Sequence, residues 1–253
     1  MTSENVPAVL RRLWRVPEPS ESSRLGRPAT LDVDLVVAAA VEIADSDGLG
    51  GVTLPKVAKS LGVTGMSLYR HVGSKEELLT LMTDHAVGMP PALDADDWRE
   101  GLRRWAFAQR AVYRRRPWLT RVPISGPPSG PNQIAWTEAA LAIMSRTGLD
   151  WAHRVGVLSV IGGYVLQSVR QHSDLAEGRA RTQGQADAAR DHARALVRLV
   201  DPERFPETAQ LFSALFQAPP PTTSEEAAAD ADFALGLELI LDGVAVRIEP
   251  SGR

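Results

Sequence analysis

The chain has 253 residues, of which 44% are hydrophobic and 23% charged, and its formal net charge is −3. This length and composition are typical of one large or two modest folded domains. The slightly acidic balance argues against broad polyanion binding, so contact with nucleic acid would need a local basic surface. The absence of cysteine excludes disulfides and thiolate metal sites. Without a long apolar run or a secretory signal, we expect a cytoplasmic protein that does not span a membrane.

The first predicted elements are a flexible arm and a helix. Prolines and a Ser/Glu cluster in residues 1–29 resist packing and predict the arm. A helix capped by Thr30 or Asp32 is predicted to run to about Asp47, where a glycine-rich segment ends it. Its apolar spacing predicts a buried stripe made of Leu35, Val36, Ala39, Ala40, Ile43 and Ala44.

Two short helices joined by a tight turn are predicted next, at about residues 54–61 and 65–72. Gly62 supplies the turn, because glycine tolerates a positive φ. Leu68 and Val72 face inward on the second helix. This is the pattern of a helix-turn-helix, whose second helix lies in the major groove of DNA.

The outward residues of this segment support an interaction with DNA. They are Thr64, Ser67, Tyr69, Arg70, His71 and Lys75. Such side chains hydrogen-bond phosphates and base edges, and residues 50–75 contain no Asp or Glu. An ordinary helical hairpin with a basic solvent side is the alternative interpretation.

Helical patterns account for the rest of the chain. They cover about residues 74–87, 97–115, 132–147, 150–172, 186–199, 206–216 and 225–248. A polar stretch from Ser173 to about Gln185 is expected to be mobile, and no segment alternates long enough to predict a strand. We therefore predict an all-α protein. Residues 30–90 would form a three-helix helix-turn-helix DNA-binding domain, and residues 91–253 a helical ligand-binding and dimerisation domain.

These features together resemble the tetracycline-repressor (TetR) family of bacterial one-component regulators. One match is a helix followed by Val52-Thr-Leu, Val57-Ala, Leu61-Gly-Val, Ser67-Leu-Tyr-Arg-His-Val and Lys75-Glu-Glu-Leu-Leu. The other is Phe233-Ala-Leu-Gly-Leu-Glu-Leu-Ile-Leu-Asp-Gly-Val244, which is similar to the last helix of a tetracycline-repressor-type C-terminal domain. The resemblance implies a homodimeric regulator, usually a repressor, that binds a palindromic operator. A small molecule in the C-terminal domain would release it.

The resemblance also implies which residues contact DNA. Tyr69 and His71 would contact phosphates or bases, and Lys75 would anchor the backbone. Residues of the recognition helix's leading end would contact base edges, namely Thr64, Gly65, Met66 and Ser67. Thr53 would hydrogen-bond phosphate, and Arg27 would reach the minor groove. Pro55 replaces an arginine with which the tetracycline repressor contacts guanine, so the operator should differ.

The expected ligand site departs from that of tetracycline sensors. Their magnesium- and drug-binding positions correspond here to Pro91, Pro123, Trp105, Gln109 and Ala140. Because a hard cation needs oxygen or imidazole ligands, we expect an apolar, aromatic pocket without metal or cofactor. The residues expected to surround it are Trp105, Gln109, Tyr113, Trp136, Tyr164 and Gln167. Ordinary core or surface roles are the alternative for each.

The last helix and the 150–172 helix are expected to pair with their copies as a four-helix dimer interface. The faces predicted for this contact are Leu235, Leu239, Ile240 and Val244 on one helix and Val157, Ile161, Gly162 and Val165 on the other.

Two other functions are weighed against this hypothesis. A di-iron enzyme on a helical bundle needs two Glu-x-x-His-type pairs, whereas the chain offers only Asp150-x-x-His153, and phosphate loops and nucleophile elbows are lacking. We therefore expect no enzyme. A family member acting by protein contact alone is the second alternative, and the intact Tyr69, His71 and Lys75 argue against it.

Overall fold

A computed structural model describes residues 6–16, 31–93, 95, 97–124, 126–181, 195–217 and 224–248. These residues form helices and turns, and no strand occurs among them, so the all-α prediction is confirmed. Contacts divide the chain into two compact units, residues 1–170 together with 237–253 and residues 171–236. The division near residue 90, between a DNA-binding and a ligand-binding domain, remains a prediction.

The major helices are numbered in chain order. They are α1 Ala8–Leu13, α2 Val33–Asp47, α3 Leu54–Ser60, α4 Gly65–Val72, α5 Lys75–Val87, α6 Trp98–Arg115, α7 Pro131–Ile143, α8 Trp151–Arg181, α9 Pro206–Gln217 and α10 Glu225–Ile248. Short 3-10 turns lie at Leu49–Gly51, Pro117–Arg121 and Met144–Arg146. We call α2–α5 the head. The body is α6, α7 and the parts of α8 and α10 that belong to the first unit.

Helix α1 corrects the prediction of a flexible arm through residue 29. Leu13 is buried, Arg12 forms an ion pair with Glu77 on α5, and Arg15 forms one with Asp34 on α2. The Nε1 atom of Trp14 donates a hydrogen bond to the Ser129 carbonyl at 2.9 Å. Composition alone does not show such partners, because they lie far along the chain. The rest of the predicted arm lies outside the described residues.

The head folds around the inward faces of its four helices. Each helix begins at a residue whose side chain accepts a backbone N–H bond, in order Asp32, Thr53, Thr64 and Ser74. Val36, Val57, Leu68 and Met82 are completely buried. Leu35, predicted to belong to the buried stripe, is instead 49% exposed, because the buried face of α2 runs through Val36, Val37, Ala40, Val41 and Ala44.

Helix α8 differs from the prediction after residue 172. It continues through residues 173–181, for which the sequence predicts a mobile stretch. In the body, Asp97 caps α6 by accepting a hydrogen bond from the Glu100 N–H at 2.9 Å. Within the part of the chain that the structure describes, no helix combines the length and apolarity needed to cross a membrane.

The predicted dimer faces are partly wrong. Ile161 and Val165 are completely buried within the chain itself, whereas Leu239 is 67% exposed. Two residues that face the core cannot also form an outer contact surface.

Candidate DNA-binding surface and ligand pocket

The helix-turn-helix has the geometry that its sequence predicts. Gly62 adopts a φ of 66°, and the Val63 N–H donates to the Ala58 carbonyl at 3.0 Å, which reverses the chain directly after α3. Leu68 and Val72 are fully buried. The opposite side of α4 therefore faces solvent.

The predicted DNA-contacting residues lie mainly on this solvent-facing side. Met66 is 72% exposed and Tyr69 50% exposed, and Lys75 is exposed at the start of α5. Gly65, Ser67 and His71 are half-buried. Arg27 lies outside the described residues.

Two exposed threonines each cap a helix and keep a hydroxyl proton that can be donated to DNA. The hydroxyl oxygen of Thr53 accepts from the Lys56 N–H and that of Thr64 from the Ser67 N–H, each at 3.3 Å. Since a hydroxyl that accepts a bond still carries its own proton, both groups can donate to a phosphate oxygen. The positive ends of the α3 and α4 dipoles lie at the same positions and favour an anion there.

The basic charge of the head is partly neutralised. Lys56 forms an ion pair with Asp47, and this hydrogen bond lowers the pKa of the Asp47 carboxyl. Arg70 and Lys75 are exposed on the surface that carries Tyr69. The head can thus supply phosphate contacts although the whole chain is slightly acidic.

Four of the predicted ligand residues lie on α6 and α7. The rings of Trp105 and Trp136 meet edge to face, with centroids 6.2 Å apart. Both indoles are buried, and the Trp105 Nε1 donates to the Trp136 carbonyl at 2.9 Å. Gln109 and Tyr113 follow Trp105 at one-turn intervals along α6. Burial raises the pKa of the Tyr113 phenol.

Gln109 has an unusual environment. Its Oε1 atom is buried and accepts no hydrogen bond from any of the described residues. A buried acceptor without a donor costs roughly 1–3 kcal/mol. A Cβ built on Gly162 of α8 would lie 4.0 Å from this oxygen. The missing side chain of Gly162 therefore leaves room beside Oε1.

The other two predicted ligand residues lie on α8. Tyr164 is half-buried, whereas Gln167 faces solvent. A separate groove of about 600 Å³ is lined by Pro91, Leu93, Glu100, Arg104, Ala139 and Ile143. None of the six predicted ligand residues lines it.

Contacts between head and body involve residues that the sequence analysis did not identify. Asp45 on α2 accepts from Arg116 Nε at 3.1 Å and from Trp118 Nε1 at 2.7 Å. Arg116 also donates to the Ala86 carbonyl of α5 at 3.0 Å. Asp84 on α5 is buried against the start of α7. The sequence offers one signal for Asp84, because it is an acidic residue among the apolar residues of the inward face of α5.

A charged cluster joins the body helices α6 and α10. Glu238 accepts from Arg99 Nη2 at 2.6 Å and from Arg103 Nε at 2.7 Å. These bonds, led by that from Arg99, lower the pKa of the Glu238 carboxyl. Among the described residues, no group of three or more His, Cys, Asp or Glu side chains could hold a metal ion.

Comparison with known proteins agrees with this architecture. Residues 36–82 match the sequence profile for bacterial regulatory proteins of the tetR family, and residues 90–248 match the profile for the tetracyclin repressor-like C-terminal domain. The HTH-type transcriptional repressor DrrR1 of Streptomyces coeruleorubidus is 35% identical, over 97% of this chain and 88% of that protein.

Solved structures show the same fold. Apo ActR from Streptomyces coelicolor has a TM-score of 0.69 at 23% identity, covering 88% of this chain and 98% of ActR. ActR in complex with actinorhodin has a TM-score of 0.68 at 25% identity, covering 87% of this chain and all of that one. The chain therefore belongs to the tetracycline-repressor family of bacterial transcriptional regulators.

Proposed function

We propose that the protein is a one-component repressor that acts in the cytoplasm, binds a palindromic operator as a homodimer and is released by an aromatic ligand. The observation that supports DNA binding most directly is α4. Its apolar side is buried, whereas Met66 and Tyr69 project into solvent beside a basic surface. This is the arrangement of a recognition helix that enters the major groove.

The dimer is proposed to form on an apolar surface of α8 and α10. A groove of about 480 Å³ lies there, lined by residues that include Val157, Val160, Leu239 and Ile240. Val160 and Leu239 are more than half exposed. A second copy would cover these side chains and place two recognition helices ~34–36 Å apart, which matches one turn of DNA.

The ligand is proposed to bind beside Trp105 and Trp136 and to carry a hydrogen-bond donor. Because both indoles are buried, a ligand would displace one of the paired rings and then gain aromatic contact area. The unsatisfied Oε1 of Gln109 would accept the ligand's donor. Support also comes from ActR, a relative of the same fold, whose structure contains actinorhodin.

Operator binding is tested with duplexes selected from a random library. Binding should be specific and should weaken as salt rises, because phosphate contacts release counterions. Tyr69→Ala should reduce affinity, and Tyr69→Phe should reduce it less because only the hydroxyl is lost. Tyr164→Phe, which changes a tyrosine outside the head, is the matched control. Failure to select any duplex, or equal affinity for all three variants and the wild type, would contradict the proposal.

The ligand's donor is tested with 2,6-dihydroxyanthraquinone and its dimethyl ether, a pair that differs in hydroxyl protons. Actinorhodin serves as a third probe. The wild type should prefer the dihydroxy compound by about 1–3 kcal/mol, because the ether leaves Oε1 unpaired. Gln109→Leu should abolish this preference, and Gln167→Leu, at the exposed glutamine, should retain it. Tryptophan quenching measures both affinities. Retention of the preference in Gln109→Leu would exclude this site.

A further inference from the structure

Helix α7 has no N-terminal cap from its own segment. It begins after Gly130, which has no side chain to accept a hydrogen bond. The acceptor comes instead from the head. Asp84 Oδ1 on α5 accepts from the Gln133 N–H at 2.9 Å, and Asp84 Oδ2 accepts from Asn132 Nδ2 at 3.0 Å.

The two helices fit closely at this point. Asp84 is only 4% exposed, and a Cβ built on Gly130 would lie 2.1 Å from its Oδ1 atom. Asn132 Nδ2 also donates to the Asp84 main-chain carbonyl at 3.1 Å. The carbonyl of the adjoining Ser129 accepts from Nε1 of Trp14, the residue that ends α1. The start of α7 is therefore held by groups from α5 and from the end of α1.

A second bond joins the same two helices nearer the proposed ligand site. Trp136 on α7 donates from Nε1 to the carbonyl of Gly88, the residue that ends α5, at 2.8 Å. The main-chain carbonyl of Trp136 accepts from Trp105. Helix α7 thus contacts the end of the head at two points, Asp84 and Gly88, and carries one half of the tryptophan pair.

We propose that Asp84 is a positioning residue that caps α7 from the head and thereby couples the ligand site to the orientation of the recognition helix. This inference rests on the proposed function. A ligand that displaces Trp136 moves α7, and the cap transmits that movement to α5. Coupling is reciprocal, so operator DNA, which fixes the heads, must also stabilise the capped start of α7.

Amide hydrogen exchange at Gln133 tests this directly, in the free full-length protein and in its complex with the selected duplex. In the wild type, DNA should slow exchange at the Gln133 amide, although this amide lies in the body and not in the head. Asp84→Ala should exchange about fivefold faster when free, as expected for a lost cap, and DNA should no longer slow it. Glu42→Ala, which removes an exposed carboxylate of α2 in the head, should behave as the wild type.

Two further variants keep the test independent of gross unfolding. Asp84→Asn retains an acceptor oxygen and should preserve part of the DNA effect. Gly130→Ala retains the carboxylate but pushes it away, and should resemble Asp84→Ala. The inference is overturned if DNA still slows Gln133 exchange in Asp84→Ala, or if it has no effect in a wild type that binds the duplex tightly. A wild type that binds no selected duplex would refute the proposed function and, with it, the coupling.

Discussion

Replacing each of two neighbouring glycines by alanine isolates the backbone conformation of the helix-turn-helix. Gly62 has a φ of 66°, whereas Gly65 lies in α4 with a helical conformation. A Cβ built on either glycine meets no atom within 4 Å, so steric contact is the same for both. Alanine also restricts the unfolded chain, and this stabilises the folded form of both variants by roughly 0.4–1 kcal/mol. The left-handed conformation at Gly62 adds a cost of about 1–2 kcal/mol.

Gly62→Ala should therefore be less stable than Gly65→Ala by about 1–2 kcal/mol, and Gly65→Ala should be at least as stable as the wild type. The free energy of opening of the head is measured by native-state hydrogen exchange at Val57 and Leu68, whose side chains are fully buried. Equal opening free energies for the two variants would refute the assignment of Gly62 as the turn that requires a positive φ.

Three further results are expected. Lys75→Gln should lower the slope of log affinity against log salt by about 0.9 for each protomer, while Arg146→Gln, outside the head, should leave this slope unchanged. Glu238→Gln should lower the free energy of unfolding at pH 7 by about 0.5–1 kcal/mol, because the half-exposed carboxylate pairs with two arginines. Since folding lowers the pKa of Glu238, the difference should be full above the ordinary glutamate pKa of about 4.3 and vanish as pH falls through the lower folded pKa; a constant difference would be contrary evidence. Leu239→Glu should give monomers in sedimentation, whereas Leu35→Glu, at another exposed leucine, should not.

The head could be predicted from sequence because its determinants are local. Helical spacing of apolar residues, the turn at Gly62 and the capping residues Asp32 and Ser74 all act within a few positions of the helices they define. Met66 and Tyr69 could be assigned to the surface for the same reason, since the buried face of a short helix determines the exposed one.

The remaining features depend on residues that are distant in sequence. Trp14 bonds Ser129 across 115 positions, and Asp84 bonds Gln133 across 49. Neither pair has a period or spacing by which a sequence pattern could reveal it. The prediction of the outward face of α8 is wrong for a related reason. Apolar residues occur on several sides of this helix, so periodicity alone does not show that Ile161 and Val165 face the core.

The distribution of indoles gives the protein its own optical probe. All six tryptophans lie outside residues 31–87, so the head contributes no indole emission of its own. Trp118 nevertheless donates a hydrogen bond to Asp45 of α2. The difference in emission between the wild type and Trp118→Phe, a variant that keeps the tryptophan pair, would therefore isolate the Trp118 signal, which should change in wavelength or intensity when the head moves away from the body. This signal would follow the switch in real time without any attached dye.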